Sequence, residues 1–263
     1  MLTARNNLAV VLLGVAFSGH IWGQDAEEFY RHGTRSFASQ DAPAAIAAFR
    51  KSLELRPDFA PAWKALGVVF ASQGDFENAE YAFRNACERQ SRLADACLYQ
   101  GRTLYLLNRF EPAVKVLQAV IQREKENAEA WRLLALSLEG LGEIPAAGDA
   151  FRQAVRFNRG ASPNEDPGID YGVYLFRQGK ADEALIPLDA AVKRHDDSFR
   201  AHLELGCVLL ALDRVTEAAS HLERAIVLDR RVTRAHLLLG KVYQRQGKDR
   251  EAGEQMRLAS TLK

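Results

Sequence analysis

The side chains with the greatest capacity for chemistry are three cysteines and six histidines. Cys87, Cys97 and Cys207 form no C-x-x-C, no C-x-x-C-H and no zinc-ligand spacing. An odd number leaves at least one thiol free or paired between molecules. Cys87 and Cys97 fall on consecutive helices in the reading below. They are open to a disulfide, or to burial as two small apolar side chains. His202 and His236 stand 34 residues apart, at the phase that Trp63 and Trp131 hold earlier in the chain. Such a pair could hold a metal across two structural units, or its rings could fill an aromatic slot between helices. No carboxylates accompany the pair at fixed spacing, which favours the slot. His195 with Asp196 and Asp197 reads as a solvated helix end. G-x-S-x-G, Walker and G-x-G-x-x-G patterns do not occur. The chain is therefore read as a non-enzyme, with no catalytic residue, no metal and no cofactor.

The elements that position these residues recur with a period. Trp63, Leu66, Gly67 and Phe70 are followed by Gly74, Ala79, Phe83 and Ala86. Sixty-eight residues later Trp131, Leu134, Ala135, Leu138, Gly142, Ala147, Phe151 and Ala154 repeat those offsets, and Gly101, Leu104, Phe110, Ala113 and Leu117 fill the unit between. The period is 34 residues, with one slip of three at Ser162-Pro163-Asn164. It gives repeats at about 26–59, 60–93, 94–127, 128–161, 165–198, 199–232 and 233–263. Each should be two antiparallel helices. Gly67, Gly101, Gly172, Gly206 and Gly240 sit where the two backbones approach, and Phe49, Phe83, Phe151 and Leu222 plug the gap between neighbours. Gly74, Gly142, Gly179, Gly247 and Asn108 stop the first helices. Pro43, Pro112 and Pro145 open the second ones. Pro187 falls inside a second helix, where a kink is expected. Residues 158–168 carry two prolines and two glycines and read as a longer loop within a continuing stack.

This pattern, W-x₂-L-G-x₂-Y followed by A-x₃-F, resembles the tetratricopeptide repeat family over the whole chain after residue 23. The resemblance implies an all-α fold, a right-handed superhelical solenoid of antiparallel helix pairs. It also implies a concave groove, lined by first helices, that binds a peptide or helix of a protein partner. Members that clamp the terminal carboxylate of cytosolic chaperones use a Lys and an Asn one turn apart. Here Lys64 is followed by Val68 and Arg132 by Leu136, so that set is absent.

Residues 1–23 read as a signal peptide, with Arg5 before an apolar run from Leu8 to Phe17 that is half the length a bilayer core requires. Cleavage after Gly23 leaves an exported chain, periplasmic or extracellular, with no membrane span. Thirty-five Lys plus Arg against 34 Asp plus Glu give no concentrated basic field, so nucleic acid is not an expected partner.

On the period, the groove should include Arg102, Arg132, Phe176, Arg177, Arg200, Leu203, Leu210, Arg234, Leu237 and Lys241. An apolar floor with an arginine rim suits an acidic-apolar segment of a protein partner. Ser260 replaces the apolar residue that ends the second helix in earlier repeats, a polar end to the stack. The expected function is an exported, non-catalytic protein-interaction scaffold. The alternatives are a structural module that self-assembles through its C-terminal end and, more weakly, an enzyme with an unrecognised groove site.

Overall fold

The computed structural model describes residues 25–89 and 94–262, and the expected leader at 1–23 lies outside them. Fourteen helices and no strand occur among the described residues. They belong to two compact units, Met1–Arg123 and Glu124–Lys263. The first unit contains α1 (25–38), α2 (Ala42–Leu55), α3 (Ala60–Ser72), α4 (Phe76–Arg89), α5 (Ala94–Leu106) and α6 (Phe110–Arg123). The second contains α7 (Ala128–Gly140), α8 (Ile144–Phe157), α9 (Pro167–Arg177) and α10 (Ala181–Arg194). It continues with α11 (Phe199–Ala211), α12 (Val215–Leu228), α13 (Thr233–Arg245) and α14 (Asp249–Thr261). Within each unit, consecutive helices pack on one another as a stack of helix pairs.

The turns inside the pairs obey one backbone rule. Positive φ occurs at Gln40, Gly74, Asn108, Gly142, Gly179, Asp213 and Gly247, at 34-residue steps broken once by 37. The left-handed residue ends the first helix and lets the chain reverse. Gln40 and Asp213 hold this conformation despite their Cβ atoms, and their side-chain types conceal it in the sequence.

Close approach explains the small residues. A Cβ placed on Gly67 would stand 2.7 Å from the ring of Phe83. In the fourth repeat Ala135 takes the same position, fully buried, opposite an equally buried Phe151. Phe151 also meets the rings of Tyr171 and Tyr174 at 6.1 and 5.2 Å, which joins α8 to α9. The stack therefore continues across the loop at 158–166. Pro187 does not end α10, which runs through it from Ala181 to Arg194.

The ring slot has its own chemistry. The Trp63 and Trp131 indole N–H groups donate to the carbonyls of Pro57 and Lys125, each at 2.8 Å and each six residues earlier. His202 and His236 use Nε2 in the same way, 3.2 Å from the carbonyls of Asp196 and Arg230. A heteroaromatic N–H thus ties each of these first helices to the loop that precedes it, and satisfies a carbonyl with no helical partner. The residue nineteen positions on changes with the ring. It is Ala82 after Trp63 and Ala150 after Trp131, His221 after His202 and Gln255 after His236. The smaller imidazole leaves room for a polar side chain, which then bonds to Nδ1 at 3.0 Å (His221) or 2.7 Å (Gln255). In the fifth repeat the slot residue is Gly168, and the partner position is Pro187. A Cβ on Gly168 would lie 2.9 Å from the Pro187 carbonyl oxygen.

In the third repeat the slot holds Cys97, bonded to Cys87 with the Cα atoms 4.9 Å apart. The disulfide takes the place of a ring and joins the end of α4 to α5. Cys207 is a free thiol.

Candidate functional site: the face of the first helices in the second unit

Four first helices, α7, α9, α11 and α13, form a row in the second unit, each in contact with the next. Arg132, Phe176, Arg177, Arg200, Leu203, Leu210, Arg234, Leu237 and Lys241 all lie on these helices. Arg102 lies on α5, in the first unit, and has interactions of its own.

The arginines are not an open rim. Arg132 is buried. Its Nε and Nη2 donate to the Glu129 carboxylate at 2.7 and 2.8 Å, and its Nη1 donates to Asp170 of α9 at 2.9 Å. Burial works against the Arg132 charge, but hydrogen bonding and attraction from Glu129, then from Asp170, outweigh it and raise the pKa. Arg200 of α11 reaches the other oxygen of Asp170 and donates from Nη1 to the Asn164 carbonyl at 3.0 Å. Asp170 therefore bridges three successive first helices. Asn164, one of the three inserted residues, also accepts from the Ser198 hydroxyl at 2.9 Å. The insertion is held by polar bonds, which is why it follows no apolar pattern.

A second acid anchors the same region. Asp166 is wholly buried, caps α9 by accepting from the Gly168 N–H at 2.8 Å, and pairs with Arg194.

The outer pairs are looser. Arg177 meets Glu139 at 3.3 Å, and Arg234 forks onto Glu204 at 2.5 and 3.1 Å while approaching the Cys207 sulfur at 3.4 Å. Both guanidinium groups are largely exposed. Two of the expected floor residues, Leu203 and Leu210, are buried at 6% and 7% exposure and belong to the packing of the stack rather than to an open surface. Phe176 is half-buried. Leu237, at 42% exposure, and Lys241 are open to solvent. The period marked which positions share this face. It could not show that four of the arginines find carboxylates there, because Asp170, Glu139 and Glu204 are unremarkable surface letters until the neighbouring first helices are placed.

Two cavities of about 400 Å³, one in each unit, open between consecutive second helices. One is lined by Trp63, Leu66, Phe70 and Tyr81, the other by Leu205, Leu209, Glu217 and His221. They occupy the same place in the repeat. Among the described residues, no group of three or more His, Cys, Asp or Glu is placed to hold a metal ion, and no helix is long and apolar enough to cross a membrane.

The repeat period, the left-handed turns and the plugged helix pairs coincide with a match to the tetratricopeptide repeat family model over residues 30–96, 98–165, 170–231 and 203–260. The chain belongs to the tetratricopeptide repeat family. Such repeats are typically non-catalytic scaffolds. Hsp70-Hsp90 organizing protein 1 of Glycine max is 24% identical over 221 residues, which is 80% of this chain and 37% of that protein. The chain spans 27% to 37% of the length of the curated relatives it matches. A tetratricopeptide repeat protein from Parabacteroides merdae superposes with a TM-score of 0.70 at 14% identity, covering 91% of this chain and 93% of that one. YrrB, described as a tetratricopeptide repeat protein with an unusual peptide-binding site, gives 0.54 at 21% identity, covering 70% and 94%.

The bridging role of Asp170 separates two kinds of arginine. Asp170→Asn leaves buried Arg132 with Glu129 alone and Arg200 without its acid, and should lower the stability of the second unit by about 1.5–3 kcal/mol. Arg234→Ala removes a pair whose arginine lies open to solvent and should cost less, about 1 kcal/mol. Urea unfolding followed by circular dichroism measures both, and equal small losses would show that Asp170 is not a bridge.

Proposed function

We propose that this tetratricopeptide repeat protein is an exported scaffold that binds a segment of a protein partner on the first-helix face of its second unit. One observation carries the reading: two arginines open to solvent, Arg177 and Arg234, adjoin exposed apolar surface on that face. Arg234 and Arg177 can take carboxylates of an incoming segment beside Glu204 and Glu139, because each guanidinium keeps donors that face solvent. Leu237 and Phe176 offer apolar contact and Lys241 a further charge. Arg132 and Arg200 hold the face together through Asp170 and do not serve as capture groups. The peptide-binding description of YrrB supports the class of ligand. In a retention assay with envelope extract and mass spectrometry, Leu237→Ala with Lys241→Glu should reduce capture of a specific partner by about tenfold or more without shifting the unfolding midpoint. Unchanged capture by this variant, with loss on an equivalent change in α12 or α14, would move the binding site to the second helices.

Export is the second part of the proposal. The Cys87–Cys97 bond supports it, because disulfides persist in oxidising compartments and are rare in reducing ones. Protein isolated from envelope fractions should begin near Gln24, and under denaturing, non-reducing conditions only Cys207 should alkylate. An intact Met1 with three reactive thiols would contradict export.

A further inference from the structure

The His202–His221 contact has a property that its counterparts in other repeats lack. His202 Nε2 donates to the Asp196 carbonyl, so its Nδ1 carries the lone pair. The two Nδ1 atoms are 3.0 Å apart, and the ring centroids are 5.1 Å apart. His221 must therefore donate, and one proton bridges the rings. A first added proton can enter at His221 Nε2 without breaking this bond. Asp189 of α10 and Glu217 of α12 favour that charge. A second proton has to bind His202 Nδ1, the acceptor itself. Two N–H groups and two positive rings would then face each other, with Arg224 of α12 also opposing the His202 charge and Asp196 of the preceding loop favouring it. Beside His221 lies the cavity of about 400 Å³ between α10 and α12, floored by Leu205 and Leu209 of α11 and bordered by Asp189, Glu217 and Arg214, whose guanidinium forks onto Glu217. A charged His221 ring can swing into that space, toward Asp189 and Glu217, which also pair with Lys193 and Arg214.

We propose that the His202–His221 pair is a proton-operated latch between α11 and α12, closed when the rings share one proton and released in mild acid when both are charged. Release separates the helices of the sixth repeat at the cavity and exposes Leu205 and Leu209. The linkage has a definite sign. Burial lowers the pKa of both rings below the ordinary 6.5. The unfolded or opened chain then binds more protons than the closed one. The latch stabilises fully above the ordinary histidine pKa, and its contribution is lost as pH falls through and below that value. The seventh repeat supplies the control. There the partner of His236 is the Gln255 amide, which can turn either its oxygen or its nitrogen to the ring.

The test is hydrogen exchange of the α11 and α12 amides at pH 7.5 and 5.5, corrected for intrinsic rates, in the full chain. The wild type should open about tenfold or more readily at pH 5.5. His221→Gln, which copies the seventh repeat, should show little change between the two pH values. So should His202→Trp with His221→Ala, which copies the second and fourth and guards against misfolding of the first variant. Equal acid sensitivity in the wild type and in either folded variant would overturn the latch, as would a wild type whose α11 and α12 amides open equally at both pH values.

Discussion

The structure depends on how near two helix backbones can come inside each pair. That distance is set by a small residue on the first helix against a large one on the second. Gly67 against Phe83 leaves no room for even a methyl group, and Ala135 against Phe151 is the largest combination used. Because interiors are packed at crystal-like density, one such contact orients the next helix pair, and an error in it propagates along the stack. The left-handed residue between the helices and the ring bonded to the preceding loop serve the same geometry at its two ends.

The ring slot shows how a repeat can vary without losing that geometry. Tryptophan with alanine, histidine with histidine, histidine with glutamine, and glycine with a proline carbonyl all occupy one position of the repeat. The two indoles and the two imidazoles also satisfy a loop carbonyl. Where the slot holds cysteine, a covalent bond replaces the ring. Variation at this position distributes chemistry along an otherwise uniform array. A redox-sensitive tie lies in the third repeat and a proton-sensitive one in the sixth.

The fold was largely legible in the sequence because its determinants are local and periodic: Gly, Ala and Phe at fixed offsets report packing directly. The three-residue slip at 162–164 was equally visible. The environment of the groove arginines was not. Whether Arg132 is a free cation or a buried strut depends on Asp170, 38 residues away across the insertion, and no offset within one repeat encodes that pairing. The burial of Leu203 and Leu210 escaped for the same reason, since helical phase gives a direction but not the depth of the neighbouring side chains. The Cys87–Cys97 bond stayed open as a choice between two readings, and the distance between the helices decided it.

The central claim is that slot residue and partner residue form one packing unit, so that each choice fits only its own complement. A double-mutant cycle in the fourth repeat tests this most directly. Trp131→His alone leaves a void and Ala150→Gln alone overfills the site, each lowering the stability of the second unit. Combined, they recreate the pair of the seventh repeat. A coupling energy of about 1 kcal/mol or more in favour of the double variant, measured by urea unfolding, is the expected result. Strict additivity of the two losses would show that the positions vary independently and would contradict the account.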